Sequence, residues 1–231
     1  ILVTTTTTGP DGSYLFSNLP TTLFGANANY RVTVDTTDPD LPDDIFGYSY
    51  IPSTPTTYSF SLSAGTPSIL TADFGFKALG SFGDTVYWDA NGNATQDYGE
   101  SGIPGVTVDL RIFTDANNNG FYDFGETLGS VYATDITDAE GKYLFAGLPQ
   151  NKYVAVVNTG AGSPVNGRTL TGDPDTGGVA CNTSPEPWTG FYNSCDSRTG
   201  MQILPGTYFT GADFGYLPAG SSSLTSWGGQ R

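Results

Sequence analysis

Two stretches of the chain, "DANGNATQDYGE" (Asp89–Glu100) and, 26 residues later, "DANNNGFYDFGE" (Asp115–Glu126), place oxygen-bearing side chains at the same spacing. In a twelve-residue calcium loop, positions 1, 3, 5 and 12 give side-chain oxygens, position 7 gives a carbonyl, position 9 often acts through water, and position 6 is a glycine at a sharp turn. The later stretch supplies Asp115, Asn117, Asn119, the Phe121 carbonyl, Asp123 and Glu126, with Gly120 at position 6. The earlier one supplies Asp89, Asn91, Asn93, the Thr95 carbonyl, Asp97 and Glu100, but has Ala94 where glycine is expected. A hard cation wants several oxygens converging on it, and a terminal glutamate can close the shell with both of its own. The chain has four glutamates, and two of them occupy position 12. One Asn/Asp-rich stretch in a β protein reads equally well as a turn; two full matches favour Ca2+, with two or more ions expected in the second half of the chain. Each loop carries at most three formal negative charges, so the expected affinity is modest, with Kd about 10⁻⁴ to 10⁻³ M. Calcium at ten times Kd then stabilises the fold by about 1.4 kcal/mol per site.

Other chemistry is poorly supplied. The chain has no histidine, which removes Ser-His triads and His-ligated zinc, and two cysteines tied together offer no nucleophile. A two-carboxylate glycosidase is compatible with the composition, but the acidic residues cluster in patterns that calcium explains, so no enzyme is expected. A formal charge of −15 with eight basic residues argues against nucleic acid and anionic membrane surfaces. No run reaches the roughly 18 apolar residues of a membrane span, so no membrane insertion is expected. There is no start methionine or charged leader, and the chain reads as processed or cut from something longer.

The elements that must hold these loops are strands. With 31 Gly, 15 Pro, 14 Phe and 14 Tyr, runs of threonine and few Lys, Arg or Glu, the composition points to an all-β protein. It is also repetitive. "PDGSYLFSNLP" (10–20) matches "AEGKYLFAGLP" (139–149), "YRVTV" (30–34) parallels "YVAVV" (153–157), and "TADFGF" (71–76) parallels "GADFGY" (211–216). Each copy reads as a strand, a tight turn, a Tyr-Leu-Phe strand, a Leu-Pro corner and another alternating strand. In "GVTVDLRIF" (105–113) a period of two puts Val106, Val108, Leu110 and Ile112 on one core-facing side.

Aligning Gly12 with Gly141 gives an offset of 129, so the first copy has no counterpart of residues 83–129, which hold the opening strands and both calcium-type loops. The expected organisation is an incomplete sandwich at 1–79, a complete one at 80–217 and a Gly/Ser-flanked tail at 218–231. A sandwich without its first strands has an open edge and an uncovered apolar face. Either those strands lie upstream in a longer chain, or another subunit supplies them by β-augmentation. The tail segment "SSSLTSW" (221–227) is a candidate donor strand and equally a flexible end.

The run from "GDTVYWDANGNATQDYGE" through "TDAEGKYLFAGLP" to "ADFGY" resembles the B-like repeat of serine-aspartate-repeat surface proteins, the SdrD B-like domain. The resemblance covers nearly all of 80–217 and the back half of the same domain at 1–78. It implies a calcium-binding, immunoglobulin-like β-sandwich used in tandem as a rigid extracellular spacer, stalk or wall-associated adhesin module. The calcium positions it implies are the two loops above. Asp84, Asp135 and Asp138 are further candidates, each of which also reads as a turn-capping aspartate. Related domains form Lys–Asn cross-links, but none of Lys77, Lys142 and Lys152 is convincingly placed for one.

Cys181 and Cys195 flank an insertion, "CNTSPEPWTGFYNSC", and a disulfide would close a loop of about 15 residues, worth roughly 3 kcal/mol in the chain-entropy model. Two free buried thiols are the alternative; an acidic, Thr/Gly-rich chain suits a secreted setting where disulfides survive. Trp188, Phe191 and Tyr192 in the insertion read as a small private core or as a sugar-stacking face. "GDPDTGG" (172–178) reads as a turn or another cation site. Asn93 and Asn182 head N-glycosylation sequons, with glycan and metal competing at Asn93. Thr4–Thr8 reads as a strand. The leading expectation is an extracellular structural protein of a prokaryotic cell surface, a calcium-stiffened unit of a stalk, filament or surface layer that self-associates or adjoins neighbouring domains. The alternative is an adhesin binding a glycan or host protein near 181–195.

Overall fold

The computed structural model describes residues 2–41, 43, 45–181 and 195–220. The tail segment 221–227, Asn182 and the aromatic trio Trp188, Phe191 and Tyr192 lie outside the described residues. The chain forms two compact units, one comprising Ile1–Pro42 and Ile51–Lys77, the other Asp43–Tyr50 and Ala78–Arg231. Among the described residues the helical content is a single 3-10 turn, Pro174–Thr176, and the fold class is all-β, as the composition requires.

The first unit contains β1 (Thr22–Leu23), β2 (Ala26–Thr33), β3 (Ile51–Pro52), β4 (Thr57–Leu62) and β5 (Phe76–Lys77). They make a three-stranded sheet, β1-β2-β4, and a two-stranded ribbon, β3-β5.

The second unit contains β6 (Gly80–Trp88), β7 (Thr107–Thr114), β8 (Thr127–Ile136), β9 (Lys142–Leu148), β10 (Asn151–Val157), β11 (Leu170–Gly172), β12 (Arg198–Ile203), β13 (Tyr208–Phe209) and β14 (Phe214–Tyr216). One sheet runs β12-β10-β7-β8; the other runs β11-β14-β6-β13, with β9 on the opposite edge of β6. β6 pairs antiparallel with β9 and parallel with β13 and β14, so it is the central strand of its sheet. β7 lies between β10 and β8 and is central in the other.

The expected period holds along β7. Val106, Val108 and Leu110 are fully buried and Ile112 is half-buried against the same core, which also contains Phe82, Val86, Tyr153 and Phe214. The same period puts Phe113 on the other face, where it forms a second cluster with Tyr122 and Val154. That small cluster lies under one of the calcium-type loops.

In the first unit, β2 pairs with β4 and β3 with β5, as β10 pairs with β12 and β11 with β14 in the second. The tyrosine hydroxyl bond recurs as well: the buried Tyr143 donates to the Ala212 carbonyl at 2.7 Å, and the half-buried Tyr14 donates to the Ala72 carbonyl. Two expected strands are not formed. Thr4–Thr8 and Tyr14–Phe16 have no strand pairing. Their aligned segments in the second unit pair with β7 and β6, and those two strands have no counterpart among the described residues of the first. The core is affected accordingly. Ala28 and Leu62 are the buried hydrophobics of the first unit among its described residues, and Leu15 is 65% exposed.

One half-buried carboxyl in the second unit sets a pH dependence. Asp213 accepts from the Thr85 amide at 3.1 Å, and burial, then the charge of Asp84, push its pKa up to about 6. A carboxyl raised in the fold favours folding while protonated, below the unfolded value of 3.8, and that contribution is lost as pH climbs through 6. Asp213→Asn is therefore expected to be more stable than the wild type at pH 7 in urea titrations with chelator present, and the difference should shrink as the pH falls to 4. An equal difference at both pH values contradicts this assignment.

Candidate metal loops

Both candidate loops adopt the same backbone path. Position 6 is left-handed in each, with φ of 67° at Ala94 and 85° at Gly120, and so are position 4 (Gly92, Asn118) and position 11 (Gly99, Gly125). Ala94 holds a conformation that costs an L-residue about 1 kcal/mol, and the surrounding cage over-determines it.

That cage is built from aspartate and asparagine oxygens accepting from backbone amides. Asp89, fully buried, takes the N–H groups of Gly92 and Asn93 on Oδ1 and of Ala94 on Oδ2 at 2.7, 3.1 and 2.8 Å. Asp115 takes those of Asn119 and Gly120 at 3.1 and 2.8 Å. The side-chain oxygens at positions 3 and 5 accept from the amides two residues on, Asn91 from Asn93 and Asn93 from Thr95, and likewise Asn117 from Asn119 and Asn119 from Phe121. The final glutamate spans the loop. Glu100 accepts from Ala90 at 2.7 Å and Asp97 at 2.9 Å, and Glu126 accepts from Ala116 at 2.7 Å and Asp123 at 3.1 Å.

The Asp, Asn and Glu side chains named from spacing are thus bonded within their loops. Their amides meet at position 9, where Asn91 and Asn93 each donate Nδ2–H to Asp97 Oδ2 at 2.7 and 2.8 Å, and Asn117 and Asn119 do the same to Asp123 at 2.7 and 2.8 Å. In this state the amide nitrogens occupy the carboxylate face that a cation would take. Accordingly, among the described residues no group of three or more acidic, cysteine or histidine side chains forms a ready metal cage. The donor set nonetheless fits a hard cation: it is oxygen throughout, and Asp123 Oδ1 is buried without a hydrogen-bond partner.

Each loop is tied to the sandwich without a helix. The later one lies along β12, with Tyr122 N–H donating to Gly200 O at 2.9 Å, Gln202 N–H donating to Gly120 O at 2.7 Å, and a bridge from Phe121 to Met201. Its position 8, Tyr122, is buried edge-on against Phe113 with ring centroids 5.6 Å apart. The earlier one is held at its ends, where the Asp89 amide donates to Tyr216 O and the Trp88 amide to Ser101 O, each at 2.9 Å.

Two features escaped the motif reading. Lys152 Nζ lies 3.0 Å from Asp115 Oδ2, whose side chain is 1% exposed. Burial raises the Asp115 pKa, and hydrogen bonds from Lys152, Gly120 and Asn119 more than offset it, leaving it below the ordinary carboxylate value. The partner lies 37 positions away on β10, and no local pattern reveals it. The other is the approach of Asp196 to Asp173 and Asp175 of "GDPDTGG", a stretch that by itself reads as a turn or another cation site.

The extra ligand candidates are engaged elsewhere. Asp138 accepts from Glu140 and Lys142 and caps the turn before β9; Asp135 accepts from Ile136 and Leu144; Asp84 accepts from the Thr85 hydroxyl and neighbours Asp213. Cys181 and Cys195 form the disulfide, with Cα atoms 5.7 Å apart.

Residues 80–185 match the model of the SdrD B-like domain. Over 201 residues the chain is 33% identical to serine-aspartate repeat-containing protein D of Staphylococcus aureus strain Newman, covering 83% of the chain and 13% of that protein. It is 32% identical over 167 residues to serine-aspartate repeat-containing protein E of strain USA300, covering 70% of the chain and 12% of the relative. It is 29% identical over 180 residues to the bone sialoprotein-binding protein of Staphylococcus aureus, covering 74% and 13%. The chain spans about an eighth of the length of these curated relatives. With the sandwich, the paired loops and these matches in hand, the chain belongs to the SdrD B-like family.

Proposed function

We propose that the protein is a calcium-stiffened structural unit of a cell-surface stalk, filament or surface layer. The observation that carries this reading is the duplicated loop cage, Asp89–Glu100 and Asp115–Glu126, in which two separate sequences converge on one hydrogen-bond pattern. Asp89, Asn91, Asn93, Asp97 and Glu100, with the Thr95 carbonyl, would hold one ion. Asp115, Asn117, Asn119, Asp123 and Glu126, with the Phe121 carbonyl, would hold the other. Calcium supplies a positive centre among the loop oxygens, where the later loop otherwise has Lys152 against Asp115, and the Asn amides turn to present oxygen toward it. The anchoring of the later loop through Tyr122 and β12 carries that rigidity into the sheet. A surface spacer has to resist bending, and two ions bound at the extracellular affinity expected here stiffen the irregular parts of the sandwich.

The first unit is completed by two strands of the β6 and β7 pattern, supplied by the same longer chain or by another copy. Its exposed apolar residues and unpaired Tyr14–Phe16 segment support this. A ligand-binding role has a narrower basis. A relative is named for binding bone sialoprotein, and the aromatic insertion at 181–195 is the segment here to test for an analogous contact, by a glycan array and by Trp188→Ala.

Millimolar calcium should raise the melting temperature, and excess chelator should reverse the gain. Glu126→Gln should lose about half of the calcium-dependent increment, equivalent to about 1.4 kcal/mol at ten times Kd, while leaving the chelated melt nearly unchanged. A wild-type melt that chelator does not move refutes the calcium reading. In negative-stain electron microscopy with calcium, filaments or arrays support completion of the first unit between copies. Dispersed particles overturn completion between copies and leave the strands to the longer chain.

A further inference from the structure

The two loops share a hydrogen-bond pattern but differ in a partner of their first aspartate. Asp89 takes three backbone amides, those of Gly92, Asn93 and Ala94. Asp115 takes two, those of Asn119 and Gly120, and its Oδ2 also faces the Lys152 ammonium at 3.0 Å. The Asp115 side chain is 1% exposed and that of Lys152 27% exposed, so the pair sits at the buried base of the loop and is screened less than a surface pair. Among the described residues Asp89 forms no ion pair. The later loop therefore contains a cation of the chain's own, and the earlier loop does not.

The sheet sets Lys152 in this position. It is the second residue of β10, which runs between β7 and β12. On one side β10 pairs with the strand that leads into the loop, with Tyr153 opposite Ile112. On the other, Lys152 itself is opposite Gln202, whose N–H donates to the Gly120 carbonyl at 2.7 Å. The strand that carries the lysine is thus fixed against both the entry of the loop and its sharp turn.

That carboxylate faces a choice between two cations. Without metal, a buried Asp115 deprived of Lys152 is an uncompensated charge, so the ammonium keeps the cage closed. An ammonium has no lone pair and is never itself a metal ligand. When a divalent ion binds the same carboxylate, the ammonium is a like charge beside it and opposes its entry.

We infer that Lys152 is a resident counter-ion of the later loop, which holds Asp115 when calcium is absent and lowers that loop's affinity when calcium is present. The inference rests on the calcium reading of the loops proposed above and adds the residue that sets how much calcium the later one requires. The consequence is a loop that keeps its place on β12 in metal-poor surroundings and fills only when calcium is plentiful.

Calcium titration calorimetry of the full chain tests this one loop at a time. Glu100→Gln weakens the earlier loop and leaves the later one to be read; in that background Lys152→Met should tighten calcium binding about tenfold. Its melting temperature in excess chelator should fall, because the buried Asp115 has lost its partner. Lys152→Arg, which keeps the charge, should return the weaker binding. In the Glu126→Gln background, which reads the earlier loop, Lys152→Met should leave the calcium affinity unchanged. Should Lys152→Met fail to fold in chelator, Lys152→Gln retains a hydrogen-bond donor without the charge and should show the same tightening. An unchanged or weaker affinity in the later loop, with the melt lowered in chelator, marks a purely structural ion pair and overturns the inference. Equal tightening in both loops overturns it too, since that is the effect of net charge and not of this contact. In either case calcium still binds and the loop reading stands. Absence of calcium binding in the wild type and in every variant refutes the loop reading itself, and this inference with it.

Discussion

Pairing through two strands, β6 and β7, is the interaction on which the second unit rests. Each is central in its sheet, so β6 holds β9, β13 and β14 in register, and β7 holds β8 and β10. Their inner faces supply Phe82, Val86, Val108 and Leu110 to a single core. The first unit shows what happens without such strands. The pairs that do not need them, β2 with β4 and β3 with β5, survive. The segments that do need them, aligned with β8 and β9, lie unpaired. A strand is defined by what it pairs with, and the same Tyr-Leu-Phe pattern gives β9 in one unit and irregular backbone in the other.

The candidate metal loops follow from the same strands. The earlier loop leaves the end of β6, the later one leaves the end of β7, and each begins with an aspartate that the sandwich buries. In a helix-flanked calcium loop, the flanking helices fix the ends of the twelve residues. Here a strand fixes the entry, backbone bonds to Tyr216 and Gly200 fix the position, and Tyr122 gives the later loop a hydrophobic foot on Phe113. A loop held in this way has no helix pair to swing open, so its proposed role is stiffening and not signalling.

Much of this was legible in the sequence because the signals are local. Period-two alternation placed Val106, Val108 and Leu110 in the core, the repeated "DxNxN" spacing picked out the loop residues, and the cysteine spacing matched a bridge that formed. What the sequence concealed depends on long-range geometry. Lys152 meets Asp115 because β10 lies beside β7, and Asp173 meets Asp196 because a disulfide closes between them. The strand reading of Thr4–Thr8 and Tyr14–Phe16 went wrong for the converse reason: propensity describes a segment, and pairing requires a neighbour. Ala94 shows a local rule bending to its surroundings, since three bonds to Asp89 hold neighbouring amides around a left-handed alanine.

The central claim is that calcium stiffens the sandwich through these loops, and hydrogen–deuterium exchange of the full chain in calcium and in chelator tests it most directly. The account predicts that calcium slows exchange of the amides in 89–100 and 115–126, and of β12 where the later loop is bonded to it, with little change in β2 and β4. Identical exchange in the two conditions across both loops would contradict it.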